Sequence, residues 1–134
     1  MSLRTKFESS QEIGCYVKLT SSYCLVGAGS DSLASMIENQ IGRQVPVITA
    51  TIGGSSLIGR MCVGNSNGLI LPQDALDFEI EHIRKYLPDN VKIAQVDEAM
   101  NAFGNTVVCN DRVALVHPEI SENAQSIIEE TLHV

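Results

Sequence analysis

The sequence predicts a mixed α/β (α+β) protein built from repeats, in which one strand-strand-helix-strand unit recurs about 2.7 times. The first observation is a tripeptide that returns every 45 residues, as Ile13-Gly14-Cys15, Ile58-Gly59-Arg60 and Phe103-Gly104-Asn105. Further positions keep the same period: Thr20, Asn65 and Asn110; Leu25, Ile70 and Leu115; Ile37, His82 and Ile127. Self-similarity at a fixed period of this length is typical of repeat architectures. We therefore divide residues 1–134, a single domain, into repeat one (12–56), repeat two (57–101) and a partial repeat three (102–134).

Each repeat opens with two short apolar runs around a polar turn, which is the pattern of a β-hairpin. The runs are 16–19 and 23–26, 61–63 and 69–71, and 106–109 and 113–116. In repeat two the turn contains Asn67-Gly68, two residues that tolerate positive φ. For the same reason we expect Asn65 and Asn110-Asp111 to form turns rather than to contact a partner.

A helix is predicted after each hairpin. The clearest spans about 75–87, with Asp74 as its N-cap and Pro88 at its end. The first spans about 32–41 with Gly42 as a left-handed cap, and the third begins near Ser121. Return strands are predicted at 45–52 and 91–96, and the third repeat has none.

A unit of this kind cannot bury both faces of its own small sheet, so it needs neighbours on either side. Units arranged around an axis give a closed α/β propeller, which leaves no sheet edge exposed. Fewer than three copies cannot close that ring. The sequence therefore looks incomplete, or its open edges are covered by another protein or by self-association with a second copy.

Composition narrows the classes of partner. The formal net charge is −7, and the nine Lys and Arg residues are scattered, so direct binding to nucleic acid is not expected. A partner with a basic or mixed surface fits better.

The N-terminus lacks the apolar stretch of a secretory signal, which points to the cytosol or nucleus, and no run reaches membrane-span length. The four cysteines lie in strand-like runs and are interpreted as structural thiols, and no cluster has metal-ligand spacing.

Several stretches resemble the eukaryotic and archaeal translation initiation factor 6 family. They are Phe7-Glu8, Glu12-Ile13-Gly14-Cys15, Lys18-Leu19-Thr20, Tyr23-Cys24-Leu25-Val26, Ile58-Gly59-Arg60-Met61-Cys62-Val63-Gly64-Asn65, His82-Ile83-Arg84, Leu87-Pro88, Gly104-Asn105, Cys109-Asn110-Asp111 and Val113-Ala114-Leu115-Val116-His117-Pro118. The resemblance covers the whole chain, whereas family members are similar over about five repeats. It implies the first half to two-thirds of a five-bladed, pentein-type pseudosymmetric propeller.

The resemblance also implies a function without enzymatic chemistry, cofactor or metal. Family members bind the large ribosomal subunit on its joining face, mainly through a ribosomal protein, and block premature joining of the small subunit. They accompany the maturing large subunit out of the nucleolus, and a GTPase with a partner protein releases them. The expected localisation is cytoplasmic and nuclear, including the nucleolus. One alternative is a truncated, non-binding or self-associating copy. A remote alternative is a guanidine-modifying enzyme that uses Cys109, His117 and Asp111.

The candidate binding residues follow the repeated glycine. In a symmetric ring, equivalent positions lie at the same end of the axis, so the Gly-x steps of the three repeats should cluster. By resemblance, Arg60 and Asn105 lie at or near the ribosomal-protein interface, with Ser55, Gly59 and Gly104 as secondary candidates. The alternative is that the glycines only make a tight turn and Arg60 pairs with a nearby carboxylate. His82 is expected on a partly buried helix face.

Overall fold

The computed structural model describes residues 1–134 as a mixed α/β fold with three small sheets. The strands are β1 (Val17–Leu19), β2 (Cys24–Gly27), β3 (Val47–Ala50), β4 (Val63–Gly64), β5 (Gly68–Pro72), β6 (Lys92–Val96), β7 (Val107–Cys109) and β8 (Ala114–Val116). The helices are α1 (Asp31–Ile41), α2 (Ile58–Met61), α3 (Asp77–Tyr86), α4 (Phe103–Thr106) and α5 (Glu122–Leu132), and a 3₁₀ turn, Ile13–Cys15, precedes β1. The predicted mixed α/β class is confirmed.

The first two sheets have the same topology. Each contains an antiparallel hairpin, β1–β2 or β4–β5, to which a third strand, β3 or β6, adds in parallel after a crossover helix. The third sheet holds only the antiparallel pair β7–β8. The strand, strand, helix, strand order expected from the sequence is therefore present in both complete sheets.

Several local expectations were wrong. Met61 and Thr106 belong to α2 and α4 rather than to the strands that follow them. Gly42 has a right-handed φ of −60°, because its amide donates to the Glu38 carbonyl and the chain continues to turn in the helical sense. The N-cap position of α3 is Leu76, not Asp74, whose carboxylate instead accepts a hydrogen bond from the Asn101 amide at 2.8 Å.

The helices follow a slightly different register from the hairpins. The N-cap residues are Ser30, Leu76 and Ser121, so the first interval is one residue longer than the second. In the helical register Ile37 therefore matches Ile83, not His82 as the sequence period indicated. His82 is exposed rather than partly buried, and its Nε2 lies 2.8 Å from the Thr49 carbonyl oxygen.

Neighbouring units share their cores. Residues of the first sheet, Leu25 and Ile48 among them, form one cluster with Leu69 and Ile83 of the second unit. Ile70 of the second sheet joins α5 of the third unit in another cluster. The buried Tyr23 hydroxyl donates to the Gly68 carbonyl, 45 residues away, at 2.9 Å. Consecutive units are thus packed side by side with equivalent positions adjacent.

The four cysteines are free thiols with different environments. Cys24 and Cys109 lie in strands, as expected, whereas Cys15 lies in the 3₁₀ turn and Cys62 directly follows α2. Burial raises the pKa of Cys62 to about 12 and that of Cys24 to about 11. No helix has the length and apolar character that crossing a membrane requires.

Candidate functional site

The three repeated glycine steps lie together, as the sequence predicted. The 3₁₀ turn, α2 and α4 place them around one surface depression of about 380 Å³, which we call the axial depression. Its lining residues are Glu12, Gly14, Cys15, Gly59, Arg60, Gly104 and Asn105. Four of the five candidate residues therefore meet in one place.

Gly59 and Gly104 are required there by close backbone approach, whereas a Cβ atom on Gly14 would meet no atom within 4 Å. A Cβ atom on Gly59 would lie 1.8 Å from the Gly14 carbonyl oxygen, and one on Gly104 would lie 1.9 Å from the Gly59 carbonyl oxygen. None of the three has a positive φ, so backbone conformation does not select glycine at these positions. The repeated glycine is therefore a packing device that stacks one short turn on the next.

The residues after the second and third glycines are exposed, and Cys15, after the first, is partly buried. In α2, Ile58 and Gly59 are buried and Arg60 is exposed. In α4, Phe103 is fully buried and Asn105 is exposed. A guanidinium with five donors and an amide that both donates and accepts thus share one rim, an arrangement suited to recognising carboxylate and carbonyl groups.

Sequence reasoning missed one lining residue and misplaced another. Glu12 is the single carboxylate of the depression, and the Cys15 thiol lies 3.7 Å from its Oε2. The sequence did carry a signal: Glu12 is charged, whereas the residues at the same position of the other two repeats are apolar. Ser55 does not line the depression; its hydroxyl accepts a hydrogen bond from the Leu57 amide at 3.1 Å, immediately before α2.

The hairpin turns meet at the opposite ends of strands β1, β4 and β7. Asp111 accepts hydrogen bonds from the Ser66 amide at 2.8 Å and from the Ser21 hydroxyl at 3.3 Å, so one side chain joins all three units. The hydrogen bonds from Ser66 hold the pKa of Asp111 below its usual range. The side-chain Oδ1 of Asn65 accepts from the Gly68 amide, and the side-chain Oδ1 of Asn110 accepts from the amides of residues 112 and 113. The predicted turn-forming role of Asn65 and Asn110 is confirmed, whereas the Asp111 side chain bonds to the other two units rather than back to its own turn.

The residues proposed for the enzymatic alternative do not form a nucleophile–base pair. Burial raises the pKa of Cys109, whose thiol donates to the Gly64 carbonyl at 3.4 Å. His117 Nδ1 accepts from the Glu119 amide at 3.2 Å. A catalytic thiol needs the opposite shift, toward the thiolate. No group of three or more His, Cys, Asp or Glu side chains is placed to hold a metal ion.

Comparison with known proteins gives one consistent result. A family model described as the eIF-6 family matches residues 2–134. Curated proteins named eukaryotic translation initiation factor 6 align with the whole chain: that of Trypanosoma cruzi at 47% identity, that of Drosophila melanogaster at 46% and that of Schizosaccharomyces pombe at 49%. The alignments cover 54%, 55% and 55% of those proteins. The chain thus spans about half the length of the curated relatives it matches.

Proposed function

The chain belongs to the eIF-6 family, and from that premise we propose that it binds the large ribosomal subunit on its joining face. The bound chain excludes the small subunit sterically, so no chemistry is needed. The same binding accounts for a part in large-subunit biogenesis, in the nucleolus as well as the cytoplasm. Release by a GTPase and its partner protein, which the family resemblance implies, belongs to the same proposal.

The observation that carries the proposal is the clustering of Arg60 and Asn105 on the rim of the axial depression. Both side chains are exposed, and both stand on turns fixed by the glycine stack beneath them. A rigid support of this kind reduces the entropy lost when a partner binds. Arg60 and Asn105 are the residues proposed to contact the ribosomal protein, with Gly59 and Gly104 holding them in place.

The charge of the chain supports a basic protein surface as the partner. A net charge of −7 favours encounter with a positively charged ribosomal protein and disfavours direct contact with ribosomal RNA phosphates. Glu12 adds a carboxylate at the depression itself. Binding is therefore expected to weaken as the salt concentration rises.

We place the chain, by the same proposal, in a pentein-type propeller of five units, of which it carries about 2.7. A second candidate function follows from this architecture. The chain would then be a non-binding or self-associating form of the family. It is favoured by three exposed apolar side chains, Val108 and Leu115 on the third sheet and Val113 directly before β8.

Co-sedimentation with purified ribosomal subunits tests the proposal. The folded chain is mixed separately with large and with small subunits at moderate salt, and the pellets are compared. Pelleting with large subunits only is the expected result. A folded chain that pellets with neither subunit would reject binding by these units and leave the second candidate function.

Two substitutions test the site. Arg60→Leu and Asn105→Ser are expected to weaken large-subunit binding together, because they remove the donors on the rim without touching buried groups. Arg84→Leu on α3 and Asn123→Ser on α5 are matched controls, since both residues are exposed and neither lines the depression. If the Arg60/Asn105 double variant bound as tightly as the control pair, the site assignment would be wrong.

A further inference from the structure

The outer strand of the first sheet, β3, has one free edge, because it is bonded to β2 alone. The carbonyl groups of Pro46 and Ala50 accept hydrogen bonds from amides at either end of β2. Backbone groups alternate in direction along a strand, so those of Thr49 and Thr51 point away from β2. The Thr49 carbonyl oxygen lies 2.8 Å from His82 Nε2, whereas the backbone amide and carbonyl of Thr51 have no partner in the chain. Unpaired groups on a strand edge can bond an added strand.

A pocket of about 290 Å³ opens on this edge, between units one and two. We call the edge and its pocket the edge groove (Thr49, Thr51, Phe78, Glu79 and His82). A pocket of this volume is suited to one long side chain rather than to a whole small-molecule ligand. The Phe78 side chain is 66% exposed, and its ring offers a face on which a guanidinium can stack.

The pocket also contains a carboxylate, that of Glu79, which is 3% exposed. Its two oxygens accept hydrogen bonds from the Thr51 hydroxyl and from the amides of residues 53, 54 and 76. Burial opposes ionisation, but these bonds outweigh it and hold the pKa of Glu79 below its usual range. All four donors are neutral, so the negative charge is stabilised by dipoles and has no bonded counter-ion.

The equivalent boundary between units two and three lacks these features. In the helical register, the three α3 residues of the groove correspond to Asn123, Ala124 and Ile127 of α5. Neither an aromatic ring nor a carboxylate is present at those positions. Because the second boundary forms without them, the packing of one unit on the next does not by itself require the ring and the carboxylate. Their presence at the first boundary therefore points to recognition of a partner.

We propose that the edge groove binds an extended, basic segment of a partner protein. The main chain of that segment pairs with the free backbone groups of Thr51, and one Arg side chain enters the pocket. There the guanidinium stacks on the Phe78 ring and is attracted by the charge of Glu79. The net charge of −7 favours approach of a basic segment. The proposal does not depend on ribosome binding, because the groove shares no residue with the axial depression.

Titration of the isotopically labelled chain with synthetic peptides, followed by amide NMR, is the first measurement. The probes are short peptides with one central Arg flanked by Val and Thr, and matched peptides in which citrulline, a neutral isostere, replaces Arg. Arg peptides are expected to shift the amide resonances of Thr51 and Phe78 and to bind about tenfold more tightly than citrulline peptides. The proposal would be overturned if no Arg peptide shifted these resonances, or if citrulline peptides bound equally well.

Two pairs of variants test the pocket. Phe78→Ala is expected to weaken binding of the Arg peptides about tenfold, whereas Tyr86→Ala, an exposed aromatic of the same helix outside the groove, should leave it unchanged. Glu79→Gln should abolish the preference for Arg over citrulline. Glu81→Gln removes the same charge from an exposed position outside the groove and should retain that preference. Equal effects of the two aromatic substitutions, or a preference that survives in folded Glu79→Gln, would refute the site.

The amide spectra also show whether each variant is folded. If Glu79→Gln is not, the Phe78→Ala and Tyr86→Ala comparison still decides the proposal, because both of those residues are exposed. Pairing along β3 is tested with Arg peptides that are N-methylated at alternate amides, which are expected to lose binding. N-methylated peptides that bound as tightly as their parents would refute recognition of an extended strand.

Discussion

Replacing Gly104 with alanine tests the glycine stack beneath the axial depression. The new Cβ would lie 1.9 Å from the Gly59 carbonyl oxygen, where ordinary van der Waals contact begins at 3.4 Å. The turn of α4 must therefore move away from α2, and with it the fully buried Phe103. Overpacking of this kind costs about 1–3 kcal/mol. Because backbone atoms rather than a flexible side chain must move, we expect the upper end, a loss of about 3 kcal/mol in the free energy of unfolding.

The assay is thermal and urea unfolding of the variant beside Gly14→Ala, its matched control. A Cβ on Gly14 meets no atom within 4 Å and its φ is ordinary, so the control should lie within about 0.5 kcal/mol of the wild type. For a domain of this size, the loss at Gly104 corresponds to a drop of roughly 10 °C in Tm. Equal stability of Gly104→Ala and Gly14→Ala would refute the stacking argument.

Three further predictions concern buried groups. Burial opposes ionisation of Glu79, but hydrogen bonds from Thr51 and from the amides of residues 76, 54 and 53 outweigh it and hold its pKa below the usual range. Its contribution to stability is therefore present at neutral pH and is lost as pH falls through the folded-state pKa. In Glu79→Gln, the free energy of unfolding should therefore fall less as the pH is lowered than it does in the wild type. Glu81→Gln, on the exposed face of α3, should leave this pH dependence unchanged. Tyr23→Phe removes the hydroxyl that donates to the next unit and should cost about 1 kcal/mol by urea unfolding; no loss would show that water replaces the bond. Cys62 and Cys24, with raised pKa values, should react with iodoacetamide far more slowly in the folded chain than in urea, and equal rates would contradict their burial.

Much of the fold was predictable because its signals are local. Apolar runs around short polar turns define the hairpins, and a serine before an amphipathic run defines the start of α5, where the Ser121 hydroxyl accepts from the Ala124 amide. The 45-residue period then predicts that equivalent positions meet. In stacked repeats, residues at the same position of each repeat lie next to one another. The clustering of Gly14, Gly59 and Gly104 could therefore be predicted from the sequence period alone.

The start of α3 and the register of α1 depend on contacts between units, which the spacing of residues in the sequence does not indicate. The start of α3 is set by Glu79, whose carboxylate satisfies the Leu76 amide at 2.9 Å and the Gly53 amide at 2.7 Å across the unit boundary. The one-residue shift of α1 moved Ile37 out of line with His82. The reason is that helix register is decided by which side chains fit the neighbouring sheet, not by the count of residues from the hairpin.

The sequence by itself determined the repeat, the hairpins, the three longer helices, the two return strands and the residues that follow each glycine; the short helices α2 and α4 were not predicted. Only the tertiary structure decided why the glycines are needed and which side chains line the depression. It excluded Ser55 and added Glu12, because lining depends on how three turns stack. The exposure of Leu115 was likewise invisible in the sequence, where it matches the buried Leu25 and Ile70. A residue's identity fixes what it can contact, and only its neighbours in space fix what it does contact.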